Sequence, residues 1–157
     1  MNEMKKVRLG RTELMVTKTS FGALPIQRVS FDAAAELLRT AYGAGINFFD
    51  TANSYTDSEE KIGYALADVR DKIIIATKSA YRKGDADMVK RNVELSLKRM
   101  KTDYIDILQF HNPDFCPGED DPAYQYLLEM KRAGVVRHIG ITNHRLFVAH
   151  QAIESGL

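Results

Sequence analysis

Residues 73–78 read Ile-Ile-Ile-Ala-Thr-Lys, an apolar run that ends on a lysine. The segment that follows has helical period, with one apolar stripe formed by Val89, Val93, Leu97 and Met100. A continuous apolar strand followed by an amphipathic helix is typical of parallel sheets that are covered by helices. This stretch therefore predicts one βα unit.

The same order of strand and helix occurs four more times along the chain. The other strands are predicted at residues 19–23, 46–49, 104–110 and 135–141, and a helical pattern follows each of them. Residues 6–18, around a glycine turn, predict a β-hairpin before the first unit. No linker or low-complexity segment divides the chain, so we expect an α/β fold with a parallel sheet and one domain over residues 1–157.

Two helix starts are predicted from local capping rules. Ser30 is expected to be the N-cap of the first helix and Ser58 the N-cap of the second. The second helix is expected to carry the apolar residues Ile62, Ala65, Leu66 and Val69.

Composition narrows the class of partner. The 22 basic and 21 acidic residues give a net charge of +1, so no net field favours nucleic acid or an anionic membrane. The single cysteine, Cys116, and an N-terminus without an apolar signal core favour a cytoplasmic protein, and no apolar run is long enough for a membrane span. We also find no metal-ligand spacing among the histidines.

Strands buried on both faces should be apolar throughout, but polar residues follow the predicted strands at their carboxyl ends. Asp50, Lys78, His111 and Asn143 each follow an apolar run. Because the carboxyl ends of parallel strands meet at one rim, and chemistry in βα barrels lies at that rim, we expect these side chains to converge. Tyr55, in the loop after the second strand, can reach the same place.

These side chains suit the reduction of a carbonyl group. An ammonium such as that of Lys78 makes a nearby phenol a stronger acid, and the carboxylate of Asp50 can keep that ammonium charged. The imidazole of His111 can donate a hydrogen bond to a carbonyl oxygen. The set contains no hydride source, so a bound cofactor must supply one.

Several strings resemble the aldo-keto reductases. The segment 50–55, Asp-Thr-Ala-Asn-Ser-Tyr, is similar to the family's Asp-Thr-Ala-x-x-Tyr motif, and residues 58–63 are similar to the helix start that follows the family tyrosine. Thr77-Lys78 and the run from Asp103 to His111 are similar to the third and fourth strand ends. Residues 140–143, Gly-Ile-Thr-Asn, resemble the family's Gly-x-Ser-Asn segment, with threonine in place of serine.

The resemblance implies a (β/α)₈ barrel that reduces aldehydes or ketones with a nicotinamide cofactor and no metal. It implies Tyr55 as general acid, Asp50 and Lys78 as its tuning groups and His111 as the residue that orients the substrate. The nicotinamide end would be lined by Gly22, Ala23, Asp50, Thr51, Thr142 and Asn143. NADP(H) is favoured over NAD(H).

Each of these residues has an ordinary explanation when taken alone. Asp50 could cap a turn, Tyr55 could be a packing residue, Lys78 could hold its ammonium in water and His111 could be a core histidine. A non-catalytic cofactor-sensing or partner-binding barrel subunit is the alternative function. The ordered set of all four residues favours the enzyme.

Five βα units fall short of the eight in a complete barrel, which needs about 250 residues. Three explanations compete: a fragment of a longer enzyme, a piece completed by a second polypeptide, or a truncated product with another role. We favour the fragment and expect it to be inactive alone, with the remainder of the barrel in the same or a second chain. Self-assembly of two copies is disfavoured because it gives ten strands.

Overall fold

A computed structural model describes residues 4–156 of the chain. A hairpin of β1 (Lys6–Arg8) and β2 (Met15–Thr17) comes first, with the two strands antiparallel. Five strands and five helices then alternate along the chain: β3 (Phe21–Gly22), α1 (Phe31–Gly43), β4 (Phe48–Asp50), α2 (Ser58–Leu66), β5 (Ile74–Ala80), α3 (Ala86–Met100), β6 (Ile105–His111), α4 (Pro122–Arg132), β7 (Val136–Thr142) and α5 (Leu146–Ser155). The predicted hairpin and the five predicted βα units are confirmed.

The five later strands form one parallel sheet in sequence order, from β3 to β7. Each strand lies beside the next strand along the chain, as expected when every connection is a helix that crosses back over the same face of the sheet. All five carboxyl ends consequently lie at one edge.

The register of the sheet separates two faces. Asp50 pairs with Ala76, Ala76 with Ile107 and Ile107 with His138, so these residues share the inner face. Lys78, Gln109 and Gly140 form the next row on that face, and His111 and Thr142 the row at the carboxyl end. The alternate residues face the helices and belong to the main core, among them Phe49, Ile75, Leu108 and Phe110.

The hairpin covers the amino-terminal part of the inner face. Leu14 and Val16 from the hairpin pack against Ala76 and Ile107 in a second, smaller apolar cluster. The carboxyl end of the inner face carries Lys78 and His111 instead. The apolar and the polar side chains of this face are therefore separated along the strands.

Two local predictions on α2 are wrong. Ser58 is the first helical residue and not the N-cap, because its hydroxyl donates to the carbonyl oxygen of Ala23 at 2.9 Å instead of accepting from its own helix. The helix also ends at Leu66, and Val69 lies in a 3-10 segment, Ala67–Lys72, where its φ of −122° is not helical. The N-cap at Ser30 is confirmed, since its hydroxyl accepts from the Ala33 N–H at 3.2 Å.

The outer strands of the sheet each have one neighbour within the described residues. Beside β7, the helix α5 exposes the apolar side chains of Leu146, Phe147 and Ile153. Within residues 4–156, none of the helices combines the length and the apolar character that crossing a membrane demands.

Candidate active site

Lys78 and Asp50 form an ion pair at the carboxyl end of the inner face. Lys78 Nζ lies 2.6 Å from Asp50 Oδ1 and donates a second hydrogen bond to the carbonyl oxygen of Thr51, also at 2.6 Å. The lysine is buried, whereas the side chain of Asp50 is 36% exposed. A buried ammonium needs hydrogen-bond partners, and these two acceptors provide them inside the fold.

Tyr55 lies above this pair, in the loop from Thr51 to Asp57. The loop begins as a continuation of the sheet, because the Thr51 N–H donates to Ala76 O at 2.8 Å and the Asn53 N–H to Lys78 O at 3.0 Å. It then turns towards α2, and the carbonyl oxygen of Tyr55 accepts from the Ser58 N–H at 2.8 Å. Lys78 Nζ is 5.0 Å from the centroid of the Tyr55 ring.

His111 faces the same tyrosine from the end of β6. The two rings meet edge to face, with centroids 5.8 Å apart and an interplanar angle of 80°. The Ser54 hydroxyl lies 3.3 Å from His111 Nδ1. Burial first, and then the Lys78 ammonium, lower the pKa of His111 below its ordinary value, although Asp50 opposes them. The imidazole is consequently neutral at pH 7 and keeps one N–H to donate.

The residues predicted to line a cofactor fall into two groups. Gly22 is exposed with nothing within 4 Å of the position that a Cβ would take, and Asp50 and Thr142 are half-buried at the same end of the sheet. The other three lie behind this surface or use their polar groups within the fold. Thr51 and Ala23 are fully buried, and the Asn143 side chain donates to Pro113 O and accepts from the Arg145 N–H.

The sequence did not reveal two neighbours of this site, Ser54 and Glu59. Ser54 lies within the motif but its contact with His111 spans 57 residues, which no local pattern shows. Glu59 is buried at the start of α2, where its carboxylate accepts from Thr77 and Ser96. The one signal for Glu59 in the sequence is its place in the string Ser58-Glu59-Glu60-Lys61.

The arrangement supplies an acid and a donor for one oxygen atom. A phenol, an ammonium and a neutral imidazole lie close together at the carboxyl end of the sheet, so a carbonyl oxygen placed beside them could accept hydrogen bonds and a proton. Across residues 4–156 no group of three His, Cys, Asp or Glu side chains could hold a metal ion. Acid catalysis on a polarised carbonyl group is chemistry that the phenol, the ammonium and the imidazole could together support.

Comparison with known proteins identifies the family. The model of the aldo/keto reductase family matches residues 18–155. The chain belongs to the aldo/keto reductase family. The parallel sheet with alternating helices is accordingly about five βα units of an incomplete (β/α)₈ barrel.

Among relatives, L-galactose dehydrogenase of Arabidopsis thaliana is 38% identical over 152 residues, which cover 85% of this chain and 47% of the plant protein. Methylglyoxal reductase DkgB of Salmonella typhi is 33% identical, with 89% of this chain and 53% of that protein covered. The holo form of aldo-keto reductase AKR11C1 from Bacillus halodurans superposes with a TM-score of 0.83 at 31% identity, over 98% of this chain and 55% of that one. This member of the aldo/keto reductase family thus spans about half the length of these relatives.

Aldo/keto reductases use nicotinamide cofactors, and the described residues fit the reactive end of such a group. Amino-acid side chains do not donate hydride, so reduction of a carbonyl group at this site would need an external donor. Gly22 leaves open space beside the half-buried Asp50, with which it pairs, and Thr142 lies on the other outer strand at the same carboxyl end of the sheet, where βα barrels bind ligands. These three residues would border the nicotinamide in this aldo/keto reductase, and Ala23 and Thr51 would support them from behind.

Proposed function

We propose that residues 1–157 are the N-terminal part of a single aldo-keto reductase barrel domain and carry its catalytic residues. The whole protein would reduce an aldehyde or ketone to an alcohol with a nicotinamide cofactor. One observation supports this best: Lys78 Nζ lies 2.6 Å from Asp50 Oδ1 and 5.0 Å from the centroid of the Tyr55 ring.

In this proposal Tyr55 is the general acid. Its phenol gives a proton from Oη to the carbonyl oxygen of the substrate, and the Lys78 ammonium stabilises the phenolate that remains. Asp50 holds the Lys78 ammonium in position, since its carboxylate accepts a hydrogen bond from Nζ. The nicotinamide, when bound, supplies the hydride that reduces the carbonyl carbon.

His111 orients the substrate as a neutral hydrogen-bond donor. When the Ser54 hydroxyl donates to Nδ1, the ring proton lies on Nε2 and can be donated to the carbonyl oxygen. A neutral imidazole also leaves the proton transfer to Tyr55, because it does not compete as a charged acid.

We also propose a cofactor and a class of substrate. NADP(H) is proposed in preference to NAD(H) from the family resemblance, and the comparison of kcat/KM with NADPH and with NADH tests it. The substrate class is a small carbonyl compound, and methylglyoxal is a suitable probe because one relative is named for it.

The remainder of the barrel is proposed as the partner of this chain, in the same or a second polypeptide. The support is the outer position of β7 in the sheet, the exposed apolar residues of α5 and the coverage of about half of each relative. Residues 1–157 by themselves should therefore turn over no carbonyl substrate at an enzyme-like rate. NADPH oxidation by the purified 157-residue chain with methylglyoxal would contradict this part.

The Tyr55→Phe variant of the full-length protein tests the central role. We expect turnover of methylglyoxal with NADPH to fall at least about 100-fold, the contribution of a general acid. Tyr64→Phe is the matched control, because Tyr64 is exposed on α2 and its hydroxyl makes only a 3.4 Å contact with Asp32. Full turnover by Tyr55→Phe would remove the assignment, and a wild-type protein without turnover of any aldehyde would favour the non-catalytic alternative.

A further inference from the structure

Glu59 is a buried carboxylate that the proposed chemistry does not use. It lies in the first turn of α2 and is 1% exposed. Acidic side chains are almost never fully buried unless they are paired. The position of Glu59 therefore needs an explanation in the contacts of its two oxygens.

Both oxygens of Glu59 accept from donors on other elements. Oε1 accepts from the hydroxyls of Thr77 on β5 and Ser96 on α3, each at 2.6 Å. Oε2 lies 3.4 Å from Asn53 Nδ2 and 3.4 Å from Arg99 Nη1. Four donors from three parts of the fold thus surround one carboxylate.

Two of these donors are close in sequence to the proposed catalytic residues. Asn53 is two residues before Tyr55, and Thr77 is the residue before Lys78. The Asn53 N–H also donates to Lys78 O at 3.0 Å, and Arg99 Nη1 donates to Asn53 O at 3.0 Å. The carboxylate consequently joins the loop that carries Tyr55 to the strand that carries Lys78.

We propose that Glu59 is a positioning residue that holds loop 51–57 against β5 and so sets the separation of the Tyr55 phenol from the Lys78 ammonium. This inference rests on the proposed function, in which the ammonium stabilises the phenolate. A displacement of about 1 Å at such a site can lower the rate on the order of 100-fold. In this proposal Glu59 touches neither substrate nor cofactor and acts through the side chains that donate to it, chiefly Asn53 and Thr77.

A carboxylate suits this position because it can accept from all four neighbours, of which the Asn53 NH₂ group and the Arg99 guanidinium can only donate. An ionised glutamate is acceptor-only, whereas a glutamine presents an NH₂ group with two donors. In Glu59→Gln the amide oxygen can still accept from Thr77 and Ser96, but the NH₂ group then faces Asn53 and Arg99. The substitution should release the loop while leaving the volume of the side chain unchanged.

The test compares Glu59→Gln with Glu60→Gln in the full-length protein. The control makes the same change of charge at the next residue, whose side chain is 48% exposed and lies 3.5 Å from Arg99 Nε. Hydrogen exchange of the peptide that contains residues 51–57, measured without cofactor, should be faster in Glu59→Gln and unchanged in Glu60→Gln. With NADPH and methylglyoxal, kcat of Glu59→Gln should fall about 10- to 100-fold with KM changed much less.

Asn53→Ala provides a milder version if Glu59→Gln folds poorly. It removes the amide that Oε2 accepts from and keeps the backbone N–H on Lys78 O, so the same shifts are expected with smaller size. Equal loop exchange in the Glu59 and Glu60 variants would overturn the inference. So would a Glu59→Gln enzyme that is less stable but keeps its kcat, because that is the result of a purely structural role.

The proposed function and the role of Glu59 can be overturned independently. A wild-type protein without carbonyl turnover would overturn the proposed function. The hydrogen-exchange comparison needs no turnover, so it still tests whether Glu59 holds loop 51–57 against β5.

Discussion

Lys78 Nζ lies 2.6 Å from Asp50 Oδ1 across neighbouring parallel strands, and the same nitrogen donates to Thr51 O. The two side chains are not in one row of the sheet, because Asp50 pairs with Ala76 and Lys78 is two residues further along β5. The lysine therefore reaches back to the carboxylate and brings its ammonium under the Tyr55 ring. The geometry places one positive charge in contact with a carboxylate and 5.0 Å from the centre of an aromatic ring.

Lys78→Met should remove most of the turnover of the full-length enzyme. Methionine keeps most of the buried stem but lacks the charge that stabilises a phenolate, so we expect kcat to fall about 100-fold or more. Steady-state oxidation of NADPH with a small aldehyde measures the change. Lys90→Met, at an exposed position on α3, is the control and should leave kcat unchanged. Comparable rates for the two variants would show that the ammonium has no part in the reaction.

The pKa of His111 should respond in opposite directions to its two charged neighbours. Burial and the Lys78 ammonium both disfavour the imidazolium form, whereas the Asp50 carboxylate favours it. Lys78→Met should thus raise the pKa of His111, and Asp50→Asn should lower it further. Proton NMR titration of the imidazole, assigned with a His111→Gln variant, reads both shifts.

The lowered pKa of His111 also sets the pH below which activity is lost in the proposed reaction. The neutral imidazole is the form required, and its pKa is below the ordinary value of about 6.5. Activity should be lost as the pH falls through the lowered pKa, so the acid limit should lie below that of an ordinary imidazole. If Lys78→Met and Asp50→Asn moved the titration in the same direction, the charge assignment would be wrong.

Ser54→Ala should change the tautomer of His111 rather than the stability of the fold. The hydroxyl lies 3.3 Å from Nδ1, and its loss leaves the ring proton free to occupy either nitrogen. We expect a larger Nδ1–H population in ¹⁵N NMR spectra and a kcat lowered several-fold.

Ser30→Ala is the matched control for this serine. It removes the N-cap of α1 and should cost about 1 kcal/mol of unfolding free energy with no effect on the imidazole. An unchanged tautomer in Ser54→Ala would contradict the contact.

Much of the fold could be predicted because its signals are periodic and local. The apolar run at residues 73–78 and the alternation of strands with helical stripes are enough to place all five βα units in order. The convergence of Asp50, Lys78 and His111 follows from the same reasoning, since parallel strands end at one edge. Their assignment as catalytic residues stays a prediction.

The sequence misleads where a side chain bonds to a residue that is distant along the chain instead of to a local one. Ser58 satisfies the rule for an N-cap, yet its hydroxyl bonds to Ala23, 35 residues away, and contacts the Thr51 hydroxyl at 2.9 Å. Glu59 has the sequence signature of an exposed first-turn acid but is buried by donors from β5 and α3. These contacts depend on tertiary packing, which cannot be read from local patterns in a single sequence.

Asp106→Asn should destabilise the protein without lowering kcat of the folded enzyme. Asp106 is 1% exposed near the amino end of β6, where it accepts from Arg70 at 2.7 Å, Arg137 at 3.0 Å and the Ile75 N–H at 3.0 Å. Loss of one partner of a buried ion pair costs about 3–5 kcal/mol. This end of the sheet lies opposite the site, so the chemistry should not change.

Urea unfolding of the full-length protein measures the Asp106 effect. Asp103→Asn, at an exposed position, is the control and should stay within about 0.5 kcal/mol of the wild-type protein. If Asp106→Asn and Asp103→Asn unfolded at the same urea concentration, the buried network would contribute nothing to stability.

Gly63→Ala should force α2 away from α3 and impair both stability and turnover. A Cβ at residue 63 would overlap the Arg99 carbonyl oxygen and lie 2.8 Å from two backbone atoms of Met100, and a helix backbone cannot move aside as a side chain can. Overpacking of this kind costs about 1–3 kcal/mol, occasionally more. Because Glu59 at the start of α2 accepts from Ser96 on α3, the displacement should also loosen the Tyr55 loop and lower kcat.

Gly43→Ala is the control for this substitution. With no atom within 4 Å of the new Cβ at the end of α1, it should leave stability unchanged or raise it by about 0.4–1 kcal/mol. Thermal unfolding and kcat of the two alanine variants decide the matter, and equal stability in both would show that the close approach of α2 to α3 does not require glycine.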